Sequence, residues 1–233
     1  EDKNLFIFKS SERVSSVLYL ISTISFGSVV VFTLNIINQS TSQNISEDIQ
    51  ILIVSFFVAA YSLYLYSRTR QTLQHVALFY SSIFFLGSLG NILFPNIEPW
   101  AGGLFLISIG FIWGLYTLNE ILGPSWLGYF LATSTISIGS VVSIDNLFGS
   151  NDLLEIIFLI LGSVLFVWAS IQLSEQVIFY IGGLGLVINL PRLITELLPD
   201  NIWPPLILFL VGGVLVAVGL YLNSIRENIK NND

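Results

Sequence analysis

The sequence predicts an all-α fold, a polytopic integral membrane protein of eight transmembrane helices. Three observations carry that prediction. The 233-residue chain is 54% apolar and only 10% charged, where soluble domains carry about 25% charged residues. Its mean hydropathy is +0.83, and its apolar runs reach the roughly 20 residues needed to cross a bilayer as a helix. The ten-residue alternation of an outer-membrane barrel is absent from the pattern.

Taken in order, the spans are expected at Val14–Ile37, Ile49–Ser67, Val76–Phe94, Trp100–Leu118, Trp126–Ile144, Leu153–Leu173, Val177–Leu198 and Trp203–Leu222. Each is bounded by a polar cluster or a Pro/Gly break, such as "PNIEP" before the fourth and "LGPS" before the fifth. A seven-span count would require the break at 174–176 to be absorbed into a helix. Glu175 and Gln176 make that costly in hydrocarbon.

The basic residues sort to one side of this arrangement. Lys3, Lys9 and Arg13 precede the first span, Arg68 and Arg70 join the second to the third, and Arg226 and Lys230 follow the eighth. The opposite connections hold no Lys or Arg. The positive-inside rule then places both termini in the cytoplasm. Trp100, Trp126 and Trp203 each open a span, at the level where an amphipathic ring meets the headgroups. The net charge of −7 excludes nucleic acid as a partner, leaving membrane lipids and other membrane subunits.

An internal repeat is expected, with halves at 14–121 and 126–225. Asp48, Leu93, Pro95, Leu118 and Asn119 recur at one constant spacing as Asp152, Leu197, Pro199, Leu222 and Asn223. "GSVV" at 27–30 returns at 139–142, at a wider spacing that the longer first outer loop accounts for. Two halves of four spans each would point the same way across the membrane, related by an axis along its normal.

Chemistry-bearing residues are few. With no cysteine, thiolate catalysis, disulfides, iron–sulfur clusters and Cys-ligated zinc are excluded. His75 is the one histidine, too few for a His-rich metal centre, and it reads as an interfacial side chain. No lysine lies in a span, which rules out a retinal Schiff base. A Ser–His pair lacks an embedded histidine, and an aspartyl pair lacks two carboxylates within spans. No cofactor is expected, and the chain reads as a non-enzyme.

Two features remain as candidate sites. Ser22, Ser25 and Ser28 on the first span, and Thr133, Ser137 and Ser140 on the fifth, form hydroxyl-rich faces. They could line a polar path between the halves; the preferred reading is that they let helices approach and hydrogen-bond. Arg192 is the only basic residue within a span, four residues before Glu196. The expectation is an inward-facing brace near the outer surface with Glu196 as counter-charge. A snorkelling arginine and a ligand site are the alternatives.

The closing stretch "LLPDNIWPPLILFLVGGVLVAVGLYLNSIREN" resembles the tail of uncharacterised bacterial multi-pass inner-membrane proteins. "LQHVALFYSSIFFLGSLGNIL" is similar to them too. The likeness covers about half the chain. It implies a bacterial cytoplasmic-membrane protein and transfers no functional residue. The function expected is that of an accessory or scaffolding protein packing against other membrane subunits. The alternative is a transporter or channel for a small or lipid-like substrate, with its site between the halves.

Overall fold

The computed structural model describes residues 2–40, 46–148 and 152–197, with 212, 213 and 216. The described residues form seven α-helices and no strand: α1 (Asp2–Ser40), α2 (Glu47–Thr69), α3 (Thr72–Leu93), α4 (Pro99–Leu118), α5 (Ser125–Phe148), α6 (Asp152–Leu173) and α7 (Gln176–Leu197). All seven are long and apolar enough to span a membrane. α2 to α7 run 20–24 residues, or roughly 30–36 Å at 1.5 Å per residue, which matches a hydrocarbon core of about 30 Å.

The predicted first span began at Val14, but α1 continues back to Asp2 and has 39 residues. Apolarity marks where a helix enters lipid, and backbone hydrogen bonding carries it further, through the polar stretch before Val14. The expected eighth span, Trp203–Leu222, lies outside the described residues except at Gly212, Gly213 and Val216, which are helical.

Large apolar side chains are widely exposed, and polar side chains are buried beside apolar ones. Ser62, Gln74, His75, Thr117 and Ser170 are at most 2% exposed, while Val29, Phe84, Leu165 and Leu184 are more than 60% exposed. Apolar side chains gain nothing from leaving a hydrocarbon solvent, so small and polar residues share the helix contacts with buried apolar ones such as Phe79, Ile156 and Ile178. Many hydroxyls donate to the carbonyl one turn back: Thr23 to Tyr19, Thr33 to Val29, Ser88 to Phe84 and Ser108 to Leu104, all at 2.7–3.1 Å. This local bond lets a serine or threonine sit in an apolar helix with its polar atom satisfied.

Two compact units divide the chain. The first comprises residues 1–97 with 120–127, the second 98–119 with 128–233. This division differs from the expected halves, because α4 groups with the later helices and not with α1–α3. In the first unit α2 packs against both α1 and α3. Phe26 of α1 stacks on Tyr61 of α2 at 4.6 Å between ring centroids.

In the second unit, glycine sets the helix spacing. A methyl group on Gly139 of α5 would lie 2.7 Å from the Gly103 carbonyl oxygen of α4. One on Gly182 of α7 would lie 2.9 Å from the Ser163 carbonyl oxygen of α6. Both distances are inside van der Waals contact, so these backbones approach closely only because the Cβ is missing.

The turns after α2, α4 and α6 share one device, a non-glycine residue with positive φ: Arg70 at 46°, Glu120 at 57° and Ser174 at 54°. The Arg70 N–H bonds the Tyr66 carbonyl at 2.9 Å, and the Glu175 N–H bonds the Ser170 carbonyl at 3.1 Å. Both are left-handed closures of a helix C-terminus, which satisfy carbonyls the helix leaves over.

Candidate functional site

Among the described residues, a polar cluster forms in the first unit, where the end of α2, the start of α3 and the segment 120–124 meet. Tyr66 and His75 stand on either side of the α2–α3 turn, their ring centroids 5.5 Å apart. The Tyr66 hydroxyl donates to the Gly123 carbonyl at 3.0 Å and accepts from the Gly123 N–H at 2.7 Å. His75 Nδ1 reaches the same carbonyl at 3.1 Å. A carbonyl can only accept, so that ring nitrogen carries its proton.

The next turn of contacts joins α3 to α1. Gln71 Nε2 donates to Ser15 Oγ at 2.9 Å, and Gln74 Nε2 donates to the Ser16 carbonyl at 3.2 Å. Gln74 and His75 have no exposed surface. The Oε1 atoms of Gln71 and Gln74 are buried with no hydrogen-bond partner. Gln74 cannot be turned round to relieve this, since its amino group must face a carbonyl.

A cavity of about 740 Å³ opens beside the cluster, with Ser16, Thr69, Arg70, Gln71, Thr72 and Gly123 on its walls. Small-molecule sites span about 300–1,000 Å³. Arg68 stays outside it, with its guanidinium 5.7 Å from the Tyr64 ring centroid. A second cavity in this unit, of about 410 Å³, is walled chiefly by apolar residues, including Val31, Leu34, Val54 and Phe84.

His75, expected at the interface, stands in the first turn of α3, and its side chain is fully buried there. The polar triplet Gln71, Gln74 and His75 at the head of one span was the available signal. Three such residues within a turn and a half of an apolar helix require partners. Their partners, Gly123 for His75 and Ser15 and Ser16 of α1 for the two glutamines, lie far away in the chain and were not legible.

The two expected sites are resolved in part. Ser22 Oγ lies 2.7 Å from the Tyr61 hydroxyl on α2. Ser28, Thr133 and Ser140 donate to their own helix at Ile24, Tyr129 and Ile136. Ser25 is exposed and Ser137 half-buried.

The recorded partner of Arg192 is Glu155, not the expected Glu196: Arg192 Nη2 lies 3.5 Å from Glu155 Oε1. The short turn after α6 makes α6 and α7 neighbours, which sets the start of one beside the end of the other. The Arg192 side chain is 49% exposed and Glu155 15%, so this is a loose pair on the protein surface. One turn earlier, buried Asn189 donates to the Gly185 carbonyl at 2.8 Å.

Among the described residues, no group of three or more His, Asp or Glu side chains could hold a metal ion. Fold and cluster together define a multi-pass α-helical membrane protein with a polar cavity at one end of its first three helices. No family model, curated protein or solved structure matches the chain.

Proposed function

We propose that the protein is an accessory or scaffolding subunit of the bacterial cytoplasmic membrane, with both termini cytoplasmic, that packs against other membrane proteins. One observation carries this reading. α1 turns Ser22 towards α2 but leaves Ser25 and Ser28 exposed among large apolar residues such as Val29 and Phe32. In lipid, small hydroxyl residues on an outward face allow a second helix to approach closely. The one-sided distribution of Lys and Arg supports the orientation, and the likeness of the closing stretch to bacterial inner-membrane proteins supports the location. The test is isolation from native membranes in a mild detergent, with a photo-crosslinking residue at position 28. A discrete crosslinked partner that Ser25→Leu with Ser28→Leu abolishes supports the reading. A chain that travels alone and crosslinks only to lipid contradicts it.

Transport of a small or lipid-like substrate is the second reading, favoured by the burial of Gln74 and His75 within a span. Embedded polar and ionisable groups commonly mark substrate paths. Substrate-dependent flux in vesicles containing only this chain would establish it.

A further inference from the structure

α1 is the least buried of the seven described helices. Within its most apolar stretch 6% of residues are buried, against 17–50% in the other six. Ser16, Thr23 and Leu34 are buried and mark the side turned towards α2 and α3. On the opposite side Leu18, Ile21, Ser25, Ser28, Phe32 and Asn35 are all exposed. They follow one another at alternating steps of three and four residues. That period of 3.5 is the seam of a left-handed helix pair, in which each side chain fits between those of the facing helix. No residue between Val14 and Ser40 is charged, so the seam calls for no partner of opposite charge.

Two of the six are polar in a self-complementary way. Ser25 carries a hydroxyl and Asn35 an amide, groups that both donate and accept. Among the described residues neither has a hydrogen-bond partner, and hydrocarbon offers none. Ser28 donates to its own helix at Ile24 and adds a second small side chain beside Ser25, which lets a facing backbone approach. Two copies of one chain insert the same way round, so their α1 helices run parallel. In a parallel pair each seam residue meets its own copy across a two-fold axis. Ser25 then faces Ser25 and Asn35 faces Asn35, and each pair satisfies itself.

We propose that α1 is a dimerisation helix, docking this face on the same face of a second copy of the chain. The Asn35 pair fixes the register, because sliding one helix along the other would leave two amides unpaired. The inference rests on the accessory reading, taking the same Ser25 and Ser28 surface and naming its occupant.

The experiment uses the full chain, which has no cysteine, in native membranes. Ser25→Cys, Asn35→Cys and Thr33→Cys are oxidised singly with copper phenanthroline, and the products are separated without reductant. Thr33 is exposed too but lies off the seam. Disulfide-linked dimers are expected from positions 25 and 35 and little product from 33. Asn35→Leu should raise the dissociation constant of the dimer about tenfold, the worth of a pair of interhelical hydrogen bonds. That constant is read by native mass spectrometry over a dilution series in maltoside detergent. All these changes fall on exposed positions, so the packing of the protomer is kept. Equal product from position 33, no dimer from 25 and 35, or an unchanged constant in Asn35→Leu overturns the proposal. A photo-crosslinker at position 28 that captures a different protein, with no disulfide product at 25 or 35, overturns this inference and leaves the accessory reading standing. Crosslinks to lipid alone overturn both.

Discussion

The Tyr66 hydroxyl holds both backbone polar groups of Gly123, a residue 57 positions away, accepting from its N–H and donating to its carbonyl. One side chain thereby ties the turn after α4 to the end of α2. Removing the hydroxyl leaves the half-buried Gly123 N–H without its partner and the carbonyl with His75 alone. Tyr66→Phe should therefore cost about 1–3 kcal/mol, read as a lower Tm in detergent. His75 shares the same carbonyl, so each donor covers for loss of the other, and Tyr66→Phe with His75→Ala should cost more than the sum of the single changes. Strict additivity would show that the two side chains do not act on one anchor.

Close helix approach gives the second prediction. Gly182→Val puts a branched side chain where even a methyl group would meet the Ser163 backbone at 2.9 Å. Gly162 of α6 has nothing within 4 Å of such a methyl, so Gly162→Val serves as a control of equal size. The first change should lower stability by about 1–3 kcal/mol, as overpacking does, and the control by well under half of that. Thermal melts of the two variants side by side decide it.

The helix ends give a third. An L-residue at positive φ costs about 1–2 kcal/mol, whereas glycine adopts it freely but loses about 0.5–1 kcal/mol of chain entropy on folding. Ser174→Gly should therefore raise stability slightly, by about 0.5 kcal/mol, and Ser174→Val should lower it. A higher Tm for the valine variant would contradict the left-handed turn.

The charged pair on α6 and α7 gives a fourth. In double-mutant cycles with Arg192→Leu, coupling should be found to Glu155→Gln and be weaker with Glu196→Gln. Because Arg192 is half exposed, the coupling should stay within about 0.2–1 kcal/mol, the range of exposed ion pairs. Larger coupling to Glu196 would restore the pairing along one helix.

These cases mark where the sequence could be read and where it could not. The helices were legible because their apolar runs match the bilayer thickness, a property of each segment alone. Seven of the expected spans recur as described helices, with α1 extended. The glycine-rich contacts were legible in kind from small residues four apart, such as Gly110 and Gly114. Which glycines touch was not, because that depends on how each helix is rotated: Gly103 and Gly139 meet, while Gly102 has nothing within 4 Å. Arg192 was visible as an embedded charge, but its partner came from the neighbouring helix. The spacing of Arg192 and Glu196 describes only what lies along one helix. The Tyr66–Gly123–His75 cluster was hidden for the same reason, since Gly123 carries no side chain to announce it.

The proposed orientation, with the basic turn between α2 and α3 in the cytoplasm, can be measured directly because the chain lacks cysteine. Asn96, in the exposed turn between α3 and α4, and Ser174, in the exposed turn after α6, are replaced singly by cysteine. Each variant is treated in intact cells with a membrane-impermeant thiol reagent. Asn96→Cys should be labelled at once, and Ser174→Cys only after the membrane is permeabilised. Labelling of both positions from outside, or of Ser174→Cys alone, would contradict the account.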